Sequence, residues 1–189
     1  MAFQRPKKRE PVGEAGLFEY AVGTLARRMR TVRDLRRLMK SRAEDGEAGE
    51  AAMNAVVERL IELKYLSDTR FAQDYTRLRK ENQGFGRRRV QQDLALKGVD
   101  KELATTTLAA AYDEADEVEL ARAYCTKKRI KQPAGANVQK ETVRVMNRLM
   151  RAGYGSGAIF KLLRSWRVEA PESGGDSDSY AERDDLAEF

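Results

Sequence analysis

The chain is 189 residues long, 41% hydrophobic and 35% charged, with 36 Lys and Arg against 30 Asp and Glu and a formal net charge of +6. It has no histidine and a single cysteine, Cys125, which excludes an intrachain disulfide, a Cys/His zinc cage and every histidine-based triad or general base. No apolar run approaches bilayer-spanning length and the N-terminus has no apolar signal core, so the reading is a cytoplasmic protein with no membrane role.

Residues 1–15 carry Lys7, Lys8, Arg9 and two prolines without an apolar period, and read as a disordered basic arm. Phe18, Ala21, Val22, Leu25 and Met29 then follow the spacing of one buried helical face. Thr31 and Asp34 make a capping-box pattern that opens a short second helix with Leu35, Leu38 and Met39 inward. After a polar loop at 45–49, a third helix places Met53, Val56, Val57, Leu60 and Ile61 on one face.

Ser67 or Asp68 is the N-cap of a fourth helix with Phe71, Tyr75 and Leu78 at helical spacing. Gly84-Phe85-Gly86 breaks it. Arg87-Arg88-Arg89 opens a fifth helix with Val90 and Leu94 inward, closed by Lys97-Gly98, and Leu103, Leu108 and Ala111 mark a sixth. The pattern returns with Val118, Ala121, Tyr124 and Cys125, a loop at 132–135, Val138, Val145 and Leu149 up to Gly153, and a ninth helix with Ile159, Leu162, Leu163 and Trp166. From Glu169 onward there are eight acidic residues and one basic, Arg183, a disordered acidic tail with nothing to bury; it leaves 35 cations against 22 acids in residues 1–168. A body that basic attracts polyanions, and nucleic acid is the commonest one in a cell.

The helices repeat in threes. Each first helix has an alanine followed seven residues later by a cation: Ala21/Arg28, Ala72/Arg79 and Ala121/Lys128. Each second helix has two apolar residues four apart and a small residue four further on: Leu35/Met39/Ala43, Val90/Leu94/Gly98 and Val145/Leu149/Gly153, with 55 residues from Leu35 to Val90 and from Val90 to Val145. Such internal periodicity marks stacked helical modules. The chain therefore reads as all-α: three tandem three-helix repeats at 16–67, 68–113 and 114–168, forming an elongated stack between the arm (1–15) and the tail (169–189).

The glycines of Gly84-Phe85-Gly86 read as a turn, because a phosphate-binding loop would need Gly-Lys-Ser/Thr after a strand. Three arginines at a helix start oppose its dipole and point to an outside anion or acidic partner. The candidate contact residues are thus Arg87, Arg88 and Arg89. A second set crowds the first-helix ends: Arg28, Arg30 and Arg33; Arg77, Arg79 and Lys80; Lys127, Lys128 and Arg129. Lys97 completes the candidates. Helix C-termini favour cations on dipole grounds alone, but recurrence in every unit suggests a shared positive stripe suited to a long polyanion or an acidic groove. Tyr20, Tyr75 and Tyr124 flank the repeated alanine and read as core. Asp68, Asp74, Asp93 and Asp100 read as caps or ion-pair partners rather than magnesium ligands. No catalytic constellation, metal site or cofactor site emerges.

Arg28-Met29-Arg30-Thr31 with Asp34-Leu35, then Tyr65-Leu66-Ser67-Asp68-Thr69-Arg70-Phe71-Ala72, then Gly86-Arg87-Arg88-Arg89-Val90 with Leu94 and Lys97-Gly98, resembles the RecX family over about residues 17–168. Both tails and the segments 45–50 and 132–137 fall outside the pattern. The resemblance implies three tandem three-helix repeats forming a curved, elongated molecule that lies in the groove of the RecA filament on single-stranded DNA. It implies inhibition of recombinase, ATPase and coprotease activities, modulation of homologous recombination and the SOS response, and weak DNA binding by the protein itself. It implies no reaction and no cofactor, and the expected molecule is a monomer whose partners are the RecA filament and single- and double-stranded DNA. The alternative is a free-standing, non-catalytic DNA-binding protein with helix-turn-helix-like units, although the third helices start with few base-reading side chains.

Overall fold

The structure is a computed structural model that describes residues 11–113 and 115–167. Most of the arm, including Lys7, Lys8 and Arg9, and the acidic segment 169–189 lie outside the described residues. Those described form nine α-helices and no strand: α1 (Glu14–Arg27), α2 (Val32–Lys40), α3 (Glu47–Glu62), α4 (Asp68–Leu78), α5 (Arg87–Leu96), α6 (Lys101–Tyr112), α7 (Glu117–Lys127), α8 (Val138–Arg151) and α9 (Ser156–Ser165). A π-helical turn, Arg79–Gln83, extends α4.

The helices pack in threes, first against third and second against third, giving three tandem three-helix repeats. Each has its own core: Leu17, Leu35, Val56 and Leu60 in the first; Phe71, Val90, Leu94 and Leu108 in the second; Leu149, Tyr154, Ile159 and Leu162 in the third. The repeat register is the packing register. Ala21, Ala72 and Ala121 are completely buried, where α1, α4 and α7 approach their third helices. Leu35, Val90 and Val145 are buried at matching places in α2, α5 and α8.

Some of the expected faces differ. Met29 lies beyond the end of α1 and is exposed; Leu17, one turn before Ala21, fills the core instead. Ile61 and Leu78 are likewise exposed, each at the margin of its helix face: Leu60 beside Ile61 is completely buried, and Arg79 after Leu78 turns inward. Helix α1 begins at Glu14, and the Val12 amide donates to the Arg42 carbonyl at 2.9 Å, so part of the segment read as arm belongs to the first repeat.

Caps define the helix starts. Ser67 accepts from the Arg70 amide, Asp100 from those of Glu102 and Leu103, and Asp116 from that of Val118. Thr31 accepts from the Asp34 amide at 3.1 Å, which is half of the expected capping box. The Asp34 carboxylate, one methylene shorter than the glutamate of a full box, faces Arg37 (3.3 Å) and Lys97 (3.7 Å) instead.

The two inter-repeat junctions differ in kind. Phe85 and Leu120 pack against both the second and third cores, so that junction is partly apolar. The first repeat joins the second through polar contacts. Thr31 Oγ1 donates to the Lys97 carbonyl at 2.7 Å, and the Val32 amide donates to Asp68 Oδ1 at 2.8 Å.

Candidate partner-binding surface

The second helices of the three repeats are joined end to end. At the C-terminus of α8, the Ala152 and Gly153 carbonyls accept from the amides of Gly86 (2.8 Å) and Arg88 (3.2 Å) at the start of α5. At the C-terminus of α5, the Lys97 carbonyl accepts from Thr31 and the Leu96 carbonyl from the Arg33 guanidinium, both at the start of α2. Helices α8, α5 and α2 thus follow one another with the same polarity, each negative end meeting the next positive end.

The α8–α5 junction depends on close backbone approach. A Cβ at Gly86 would lie 2.5 Å from the Gly153 carbonyl oxygen. Gly153 has φ +92°, and a Cβ there would lie 2.6 Å from that of Arg89. Two buried phenols hold the facing loop. Tyr112 Oη donates to the Phe85 carbonyl at 2.8 Å, and Tyr154 Oη lies 2.6 Å from the Gly84 carbonyl and 3.0 Å from that of Leu120. Burial pushes both phenols well above their ordinary pKa.

This junction changes the meaning of the three arginines. The positive end of α5 already faces the carbonyls of α8, so Arg87, Arg88 and Arg89 sit beside a helix C-terminus, where cations are favoured. An outside anion is not needed to explain them. Arg87 pairs with Asp113 at 2.6 Å, and Arg89 with Asp93 at 3.2 Å, its guanidinium also over Phe85. Arg88 is exposed and has no ion-pair partner among the described residues.

The other candidates divide the same way. Arg79 is drawn inward: it lies 3.7 Å from Asp93, bonds Gln83 and stacks over Tyr75 and Phe85. Lys80 caps the Ala111 carbonyl beside the Tyr112 ring, and Lys97 faces Asp34. Arg77 pairs with Asp74 and Glu81, and Lys127 donates to the Glu81 carbonyl at 3.0 Å. Arg33 packs against Gly98 and caps α5. Arg30 is half-buried. Arg28, Lys128 and Arg129 are exposed at the ends of α1 and α7, without ion-pair partners among the described residues.

Tyr20 and Tyr75 are half-buried under Arg42 and Arg79, and Tyr124 is buried against Tyr154. Asp100 is a cap; Asp74 and Asp93 are ion-pair partners; Asp68 receives the Val32 amide, with burial raising its pKa. Cys125 is buried, and desolvation raises its thiol pKa. Among the described residues, no three His, Cys, Asp or Glu side chains gather as a metal-binding group, and no helix is long and apolar enough to cross a membrane.

One cation row was not singled out from sequence. Lys140, Arg144, Arg148 and Arg151 on α8 are all exposed, on the side away from buried Thr142, Val145 and Leu149. Their spacing of four, four and three residues is the readable signal.

Residues 67–108 match the family model for the second three-helix domain of RecX. The RecX regulatory protein of Deinococcus radiodurans is 32% identical over 161 residues, covering 85% of this chain and 72% of that protein. That of Trichlorobacter lovleyi is 35% identical over 115 residues, or 61% and 74%. The chain belongs to the RecX family. A RecX regulatory protein of Stenotrophomonas maltophilia is 35% identical over 121 residues, and the chain spans 65% of its length, just under two thirds. The RecX fold is matched by two crystal structures. RecX from Lactobacillus salivarius has a TM-score of 0.62 at 17% identity, covering 82% of this chain and 97% of that one. Another regulatory protein RecX has a TM-score of 0.62 at 19% identity, covering 80% and 71%. The chain is thus a member of a regulatory family built on tandem three-helix repeats.

Proposed function

We propose that this chain binds the RecA recombinase assembled on single-stranded DNA and inhibits its recombinase, ATPase and coprotease activities, thereby modulating homologous recombination and the SOS response. The observation that carries this reading is the presence, in each of the three tandem repeats, of exposed cations without ion-pair partners among the described residues. Arg28 lies in the first repeat, Arg88 at the α8–α5 junction, and Lys128 and Arg129 in the third. Free cations spread over three modules suit an extended, repetitive partner better than a small ligand.

The activity is steric and electrostatic. The chain occupies the filament groove, and its cations neutralise DNA phosphates or acidic side chains of RecA. It acts as a monomer in the cytoplasm, with 16–67, 68–113 and 114–168 as the three units, and it performs no chemical reaction and takes no cofactor. Of the cations singled out from sequence, those exposed and without an ion-pair partner among the described residues, Arg28, Arg88, Lys128 and Arg129, are assigned to partner contact. Arg79, Lys80, Arg87, Arg89 and Lys97 are assigned to holding the repeats together.

Fluorescence anisotropy with a labelled single-stranded oligonucleotide, with and without cognate RecA, tests the reading. Much tighter binding to the filament than to bare DNA is the expected result. Equal affinity with and without RecA would favour the free-standing DNA-binding protein and overturn the proposal.

A further inference from the structure

We propose that the acidic C-terminal segment, residues 169–189, docks on the cation row of α8 and competes there with nucleic acid. Of the three second helices, α8 alone carries four exposed cations with no ion pair among the described residues. Thr142, Val145 and Leu149 turn into the third core. On the opposite side, Lys140, Arg144 and Arg151 run along the crest of α8, with Arg148 on one flank and exposed Val143 and Met150 on the other. None of the four cations has an ion-pair partner among the described residues; the one hydrogen bond they make is from Arg151 Nε to the Asn147 carbonyl, at 3.3 Å.

The equivalent helices are different. On α2, Arg36 pairs with Glu50 at 3.0 Å and Arg37 with Asp34 at 3.3 Å. The outer side of α5 carries one unpaired cation, Arg88, beside Gln91 and Gln92. Like charges four residues apart repel along a helix, so the α8 row favours an added counter-charge.

The chain contains one. Residues 169–189 hold eight acids and one base, with Tyr180, Leu186 and Phe189 interspersed among them. The acids complement Lys140, Arg144, Arg148 and Arg151, and the apolar residues complement Val143 and Met150. The segment follows directly on α9, which packs against α8. Covalent geometry lets these 21 residues span at most about 75 Å, against about 21 Å for the length of α8. A single-stranded nucleic acid offers the same negative charge, so each excludes the other from the row. The inference rests on the proposed function only in that the DNA of the filament is the polyanion displaced.

The test uses the full-length chain and a fluorescein-labelled oligo(dT) of about 20 nucleotides, without RecA. One variant neutralises the segment (E169Q/E172Q/D176N/D178N/E182Q/D184N/D185N/E188Q), one the row (K140Q/R144Q/R148Q/R151Q), and one carries both sets. Neutralising the segment is expected to tighten binding about tenfold at about 50 mM salt and to steepen the log–log salt slope by up to about 2.8, which is four contacts at about 0.7 each. Both effects should vanish in the combined variant. No tightening on neutralising the segment overturns the proposal, as does tightening of equal size in the combined variant. If the fourfold row variant loses its helical circular dichroism, R144Q and R151Q are combined singly with the segment variant, and each must remove part of the gain. Because RecA is absent, loss of RecA inhibition would count against the proposed function without touching this result.

Discussion

Replacing Gly153 with Ala puts a methyl group into the α8–α5 junction at a backbone angle that L-residues avoid. The left-handed φ of +92° costs about 1–2 kcal/mol. The new Cβ would meet the Arg89 backbone nitrogen and lie 2.6 Å from Arg89 Cβ and 2.8 Å from the Gly86 carbonyl oxygen. Since two of those atoms are backbone, relief requires moving α5 from α8, an overpacking cost of about 1–3 kcal/mol. That movement also strains the Gly86–Ala152 and Arg88–Gly153 hydrogen bonds, each contributing about 0.5–1.5 kcal/mol. The expected loss is about 3–5 kcal/mol, or about 6–20 °C in thermal midpoint for a chain of this size. Gly135→Ala is the control: φ is +75°, but no atom lies within 4 Å of the added Cβ, so about 1–2 kcal/mol is expected. Urea unfolding followed by circular dichroism measures both. Equal losses in the two variants would mean that left-handed geometry alone matters and that the junction is not a close-packed joint.

The arginines should separate in the same assay. Arg88→Ala leaves stability nearly unchanged, whereas Arg79→Ala removes a partner of the buried Asp93 carboxylate and costs about 1–3 kcal/mol; equal effects would remove the division between structural and contact cations. Burial holds the Tyr112 and Tyr154 phenols above their ordinary value of about 10, so the fold disfavours the phenolate. Their contribution is complete below pH about 10 and is lost as the pH rises beyond it, so Y112F/Y154F should shrink the alkaline loss of stability seen by circular dichroism. Repeats stacked in a line should give a radius of gyration in small-angle scattering above the roughly 16 Å of a compact chain of this length; a value at or below it contradicts an elongated molecule.

Helical periodicity and the 55-residue register made the repeat architecture readable, because buried positions such as Leu35, Val90 and Val145 must recur wherever the same packing recurs. Helix-end positions were less legible. Met29 lies past the end of α1, and Ile61 and Leu78 sit at the margins of their helix faces, so all three are exposed although they keep the helical period. The surface was the hardest to read. Arg87, Arg88 and Arg89 look like one triplet in sequence, but their neighbours Asp113 and Asp93 and the α8 C-terminus are set by tertiary packing. Gly86 and Gly153 were readable as turn residues, whereas their mutual contact across 67 positions was not. Conversely, the α8 row is fully visible in sequence as a period of cations at 140, 144, 148 and 151.

The central claim is regulation of RecA, and the most direct measurement is the steady-state ATPase of cognate RecA on single-stranded DNA with this chain titrated in. The account predicts progressive inhibition by the native chain and weaker inhibition by a variant in which Arg28, Arg88, Lys128 and Arg129 are replaced by Gln. An ATPase rate unchanged at every concentration of the native chain would contradict it.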